Sequence, residues 1–162
     1  MSKSDYVKAD EAKLDEIIRQ AESRLAAQLA IGIAADQRAM TLAGILAALV
    51  SAVVAFGATK GVTWSIGAMT LCLLISAGIA AFAAQPVAWA TVGNSPANWV
   101  EDIAEGVDDL ESAKAAMASY YAEMIEQNDE VLAGNGNLLR MALLAAIVAP
   151  IAGIIALVVS AG

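Results

Sequence analysis

Histidine is absent from the chain, and cysteine occurs once, at Cys72. The first absence removes the commonest general base and the commonest transition-metal ligand together. The second excludes an intrachain disulfide and leaves a small thiol inside an apolar run. Charge is scarce, at 16 % of residues against 59 % hydrophobic in a chain of 162, a balance foreign to a water-soluble domain of that length. The net charge of −8 gives no footing for nucleic acid, whose binding depends on clustered cations. The sequence has no glycine-rich phosphate loop, no Ser/His/Asp set, no Cys-x-x-Cys pair and no EF-hand spacing. It therefore reads as a protein without catalysis, cofactor or metal.

What is present is long apolar sequence. No Asp, Glu, Lys or Arg interrupts the chain between Arg38 and Lys60, from Gly61 to Val100, or from Met141 to its last residue. As a helix the stretch from Ala39 to Thr59 spans roughly 30 Å, the thickness of a bilayer's hydrocarbon core. The segment from Gly57 to Thr63 allows only a tight turn, so a second span, about Val62 to Ala84, returns as an antiparallel neighbour. Trp64 stands at its mouth, where headgroups meet hydrocarbon. A third span runs from Leu138 to Val159, and Pro150 inside it predicts a kink. Small residues recur every fourth position at Ala43, Ala47, Ser51 and Ala55, with Gly44, Ala48 and Ala52 beside them. They recur again at Ala68, Cys72, Ser76, Ala80 and Ala84, a spacing that lets helices approach closely.

The charge lies in two blocks, and both predict helix. Residues 7 to 38 hold no proline, and Leu14, Ile18, Ala21, Leu25 and Leu29 share one face. Asp10 with Lys13, Asp15 with Arg19, and Glu16 with Arg19 are spaced as helical ion pairs. Nothing between Ala21 and Phe56 breaks a helix except Gly32 and Gly44, so the first polar helix is expected to continue into the membrane. After a connector at Gln85 to Asn94, Ser95 and Pro96 look like a helix start. Ile103, Leu110, Met117, Met124 and Val131 then recur every seven residues as a seam for another helix. The acids from Glu101 to Glu130, with Lys114 as the one base among them, read as a solvated face. Gly134-Asn135-Gly136-Asn137 predicts a flexible joint before the third span.

The expected fold is all-α, a membrane protein with three transmembrane helices and two long cytoplasmic helices. Residues 1–38 form the first amphipathic helix, 39–84 a transmembrane hairpin, 85–137 a connector and second amphipathic helix, and 138–162 the last span. The mostly polar beginning predicts no cleaved signal. All cations except Lys60 fall on the side shared by the two polar blocks, so those blocks are placed in the cytoplasm and the C-terminus opposite. Two lone amphipathic helices give a thin core, which points to a homo-oligomer assembled through Leu14, Ile18, Leu25, Ile103, Leu110, Met117 and Met124.

One constellation points to a ligand. Arg38 closes the first polar block and Arg140 opens the third span, which places both guanidinium groups near the same membrane face. Together they can bracket an anion, with Trp89 or Trp99 available to stack on a planar group. The alternative is that both arginines meet lipid phosphates.

The collar Ala35-Asp36-Gln37-Arg38-Ala39-Met40-Thr41-Leu42-Ala43-Gly44 resembles the Ala-Asp-x-Lys-Ala-x-x-Leu-Leu pattern that opens the first membrane helix of Pycsar-type transmembrane effectors of bacterial antiphage defence. The order of segments is similar too. Arg38 stands where lysine is usual, and the basic residues around the last span are reduced to Arg140. The resemblance adds Asp36 to the candidate site. It implies an inner-membrane effector that a cyclic pyrimidine nucleotide triggers to disrupt membrane integrity. A structural or channel-like subunit, or an anchor recruiting a soluble partner, are the competing expectations.

Overall fold

The computed structural model describes residues 10–61, 63–93 and 110–161. Among these it has three helices: α1 (Glu11–Lys60), α2 (Trp64–Ala83) and α3 (Leu110–Ala161). All three are long and apolar enough to cross a membrane. The two polar blocks do not stand as separate long helices, because the described part of each is one end of a continuous helix. Ile103, Trp99 and the helix start at Ser95 and Pro96 lie outside the described residues.

Asp10 starts α1. Its Oδ1 accepts the Lys13 backbone N–H at 2.9 Å, and its carbonyl accepts those of Lys13 and Leu14 at 3.0 Å. This cap satisfies donors that the first turn leaves open, and its charge suits the positive pole of the helix. Gly61, with φ +90, closes the turn after α1, a conformation that costs a residue without Cβ little. Thr63 then caps α2 by accepting the Ile66 N–H at 3.4 Å. The helix α3 continues through Gly134, Gly136 and Pro150, so the joint expected at Gly134 to Asn137 is corrected. Each glycine costs a helix about 1 kcal/mol, too little to break one that is sustained on both sides.

The chain divides into two compact units, residues 1–32 with 87–132 and residues 33–86 with 133–162. In the first, the head, α1 and α3 run in the same direction. Their contacts rise in step: Glu11 and Asp15 with Lys114, Glu22 with Tyr121, Arg24 with Asp129. Leu14, Ile18, Leu25, Ala115, Ala118, Tyr121 and Met124 are buried together, with Met117 packed against them. Of the residues expected to seam an oligomer, Leu14, Ile18, Leu25 and Met124 thus find burial inside one chain, whereas Leu110 is 55 % exposed. The ion pairs Asp10–Lys13 and Glu16–Arg19 form. Asp15 instead reaches Lys114 at 2.7 Å.

In the second unit, the span unit, α2 and α3 are antiparallel. Ser65 Oγ donates to the Gly153 carbonyl and Ser76 Oγ to that of Ala142, both at 2.6 Å. Leu46, Leu73, Ala80, Ala142 and Ala149 form its core. The small-residue line of α2 faces inward, with Ser76 and Ala80 buried. That of α1 does not: Ala47, Ser51 and Ala55 are exposed, and Ala39 and Leu46 are buried instead. Ile45, Phe56, Leu74, Ile75, Ile147 and Ile154 all face outward. An exterior this apolar around a core of small residues is the arrangement expected of helices solvated by lipid.

Two outcomes follow. Ala142→Leu, at a fully buried small position, forces α2 and α3 apart and is expected to cost about 1–3 kcal/mol. Leu144→Ala, on the exposed face, should stay within about 0.5 kcal/mol; reversible unfolding in detergent compares them. In the head, hydrogen bonds from Arg19 and then Gln20 lower the Glu16 carboxyl from its ordinary 4.5 to about 2. A depressed carboxyl stabilises the folded form above its unfolded value and loses that contribution as pH falls. Helicity of the first turns of α1, followed by circular dichroism, should therefore decline between pH 4.5 and about 2. Salt should weaken the effect, because the pair is exposed.

Candidate functional site

Arg38 lies on α1 at the beginning of the uncharged run. It lines an open depression of about 580 Å³ together with Ala34, Gln37, Thr41, Leu42 and Ile45. These residues share one face of the helix by their three- and four-residue spacing. Polar groups gather at the Gln37 and Arg38 end, and the floor toward Leu42 and Ile45 is apolar. Thr41 Oγ1 donates back to the Gln37 carbonyl at 2.8 Å. Arg38 is exposed, and its guanidinium has no hydrogen-bond or ion-pair partner among the described residues. The fork of donors is open to an anion.

Arg140, on α3 of the same unit, is exposed and likewise without a partner among the described residues. Neither it nor Asp36 lines the Arg38 depression. Asp36 is half-buried, and its Oδ1 is buried with no hydrogen-bond partner among the described residues. Asn135 Nδ2, on α3, is in the same condition. Buried polar atoms are nearly always satisfied, so these two are exceptions that need an explanation. Among the described residues no group of three His, Cys, Asp or Glu side chains is placed to hold a metal ion.

Trp89 is in the head and half-buried. The indole lies against Gly32 of α1 so closely that a Cβ there would stand 2.7 Å from its Cη2. Beside it the Asn128 side chain grips the next residue at both backbone groups. Oδ1 accepts the Ala90 N–H at 3.1 Å, and Nδ2 donates to the Ala90 carbonyl at 3.0 Å. Asn128 Nδ2 also reaches Gln28 Oε1 at 3.4 Å, while Gln28 Nε2 donates to the Ile125 carbonyl at 3.0 Å and to Asp129 Oδ1 at 2.7 Å. Asn128 is 1 % exposed and Gln28 4 %, and this network is what makes their burial tolerable. The Tyr121 hydroxyl accepts the Gly93 N–H and donates to Glu22 Oε1, both at 3.3 Å. Burial is the main cause that pushes its phenol up, so it stays a donor at neutral pH.

Sequence reasoning misses this polar clasp. Its one signal is a seven-residue spacing: Tyr121, Asn128, Asn135, Ala142 and Ala149 repeat beside the more apolar line of Met117, Met124 and Val131. Asparagine on a repeating seam position marks a specified polar layer.

Removing the Asp36 carboxylate should remove the cost of its orphaned oxygen. Asp36→Ala is expected to raise stability by about 1–2 kcal/mol, and Arg38→Ala to stay within about 0.5 kcal/mol, both by unfolding in detergent. A destabilised Asp36→Ala would mean that the oxygen has a partner. Compared with protein-family models, with curated proteins and with solved structures, the chain matches none, so the task of these residues rests on their own chemistry.

Proposed function

We propose that this protein is a non-enzymatic effector of the bacterial inner membrane, triggered by a cyclic pyrimidine nucleotide to disrupt membrane integrity. One observation carries the reading: α1 and α3 each run unbroken from the head into an uncharged span. A helix transmits displacement along its axis because its backbone bonds are internal. The polar block and the uncharged span on each of these helices are thus parts of one element. The resemblance at the collar, residues 35–44, supplies the trigger and the outcome.

In this reading the head is cytoplasmic and the C-terminus lies on the opposite side, in keeping with the cation asymmetry. Arg38, without a partner among the described residues, is the first contact for an anionic ligand, with Arg140 the second cation of the same unit. Self-association uses α1 within the membrane. Ala47, Ala48, Ser51, Ala52 and Ala55 are exposed there, a line of small residues that its own chain leaves uncovered and another helix could approach. That line also supports a second reading, a constitutive channel-like subunit that needs no nucleotide.

Induction in cells with and without a cyclic pyrimidine nucleotide cyclase separates the two when membrane potential is followed. The effector reading expects a fall only when protein and cyclase are present together. A fall with the protein alone favours the channel-like subunit, and an unchanged potential under both conditions removes the effector reading.

A further inference from the structure

Residues 87–93 follow α2 after a gap of three and cross the head as a strap without helix or strand. Only Trp89 and Ala90 of its seven residues are half-buried; the others are exposed. Among the described residues its backbone is tied at three atoms, the N–H and carbonyl of Ala90 and the N–H of Gly93. The partners are side chains, Asn128 and Tyr121, and not another strand. The remaining hold is the indole seated on the bare backbone of Gly32.

An attachment of this kind differs from the rest of the head. Leu14, Ile18 and Leu25 are held to α3 by apolar burial, which water cannot replace. The strap is held chiefly by hydrogen bonds, which water can take over when the segment lifts, with the Trp89 ring on Gly32 as an added apolar contact. The apolar cluster beneath would stay closed, since of the strap only Ala90 packs against it. Among the described residues the strap is therefore a part of the head that can detach while the α1–α3 pair stays folded, a local opening well below global unfolding.

We propose that the strap is a latch. Seated in the slot of Gly32 and Asn128, it holds the resting state of the head; released, it ends that state. The release step stands on the geometry, and its consequence for the membrane rests on the effector reading. The slot has the features a latch needs: a glycine that admits one flat ring, and an amide whose donor and acceptor match both backbone groups of one residue.

Full-length protein in lipid nanodiscs, wild type and with Gly32→Ala or Asn128→Leu, tests the release by hydrogen exchange at the Ala90 and Gly93 amides. Gly32→Ala crowds the ring, and Asn128→Leu deletes the grip on Ala90 while keeping the position filled. Both should speed exchange of the Ala90 amide by about tenfold or more, the scale of a lost local hydrogen bond. The amides of α1 and α3 in the head should keep their protection, which shows that each variant has folded. The same variants, expressed without cyclase, should lower membrane potential. Unchanged Ala90 exchange in both variants overturns the latch. If the strap is freed and the potential holds, while wild type with cyclase still depolarises, the latch is refuted and the effector reading stands. If wild type with cyclase and the freed variants all hold their potential, the effector reading fails and takes the regulatory role of the strap with it.

Discussion

A rhythm of burial at alternating three- and four-residue steps, or their sum of seven, is the constraint on which the structure depends. Along α1 it passes through Leu14, Ile18, Leu25, Gln28, Gly32, Ala39 and Leu46, and along α3 through Tyr121, Asn128, the half-buried Asn135, Ala142 and Ala149. A seven-residue period keeps one face of a helix toward a partner over many turns. What changes along the rhythm is the size of the side chain. In the head the buried positions hold Leu, Ile, Tyr and Met, because the driving force in water is the removal of large apolar surface. In the span unit alanine takes over most of them. Lipid offers no hydrophobic gain for burying leucine, and stability comes from close backbone approach and from hydrogen bonds such as Ser76 Oγ to the Ala142 carbonyl.

The part of this arrangement that is legible in the sequence is the part that solvent dictates. Three uncharged runs mark three membrane-length helices because a single charge in each would carry a large penalty. The unbroken course of α1 follows from the lack of any breaker stronger than glycine, and the inward line of Ser76 and Ala80 from small-residue spacing. The line of α1 at Ala47, Ser51 and Ala55 carries the same signal yet faces outward. Spacing identifies a face that can be approached closely, and which helix approaches it is a tertiary fact. The Gly-Asn run at 134 to 137 misleads for a related reason. Glycine and asparagine permit a joint without requiring one, and cooperative helix on both sides outweighs their small local preference.

The candidate site is less legible than the fold. The seating of the Trp89 ring on Gly32 pairs residues far apart in the chain, which no local pattern announces. Asn128 and Gln28 lie in plain view as polar residues, but a polar residue on an amphipathic helix is expected on the wet face. Gln127, next to Asn128, does lie there. One residue along a helix is a turn of about 100°, and only the seven-residue offset from Tyr121 tells the buried amide from the exposed one. Arg38 is legible because its position at the edge of an uncharged run is a local property.

Polar residues buried on or beside the seam fall into two classes, and the difference lies in how completely they are satisfied. Asn128 and Gln28 are held by one another, by backbone and by Asp129. A complete network of this sort stiffens a structure and fixes its register. Asp36 and Asn135 each keep a buried atom without a partner among the described residues, and an incomplete polar layer costs more than an apolar one of the same shape. Gly134 and Gly136 flank Asn135 and add no side-chain packing. The seam is therefore strong where its polar groups are complete and weak where they are not. A rearrangement that gave Asp36 Oδ1 or Asn135 Nδ2 a partner would recover part of that cost, so the weak stretch favours a change of pairing that the satisfied layer at Asn128 resists.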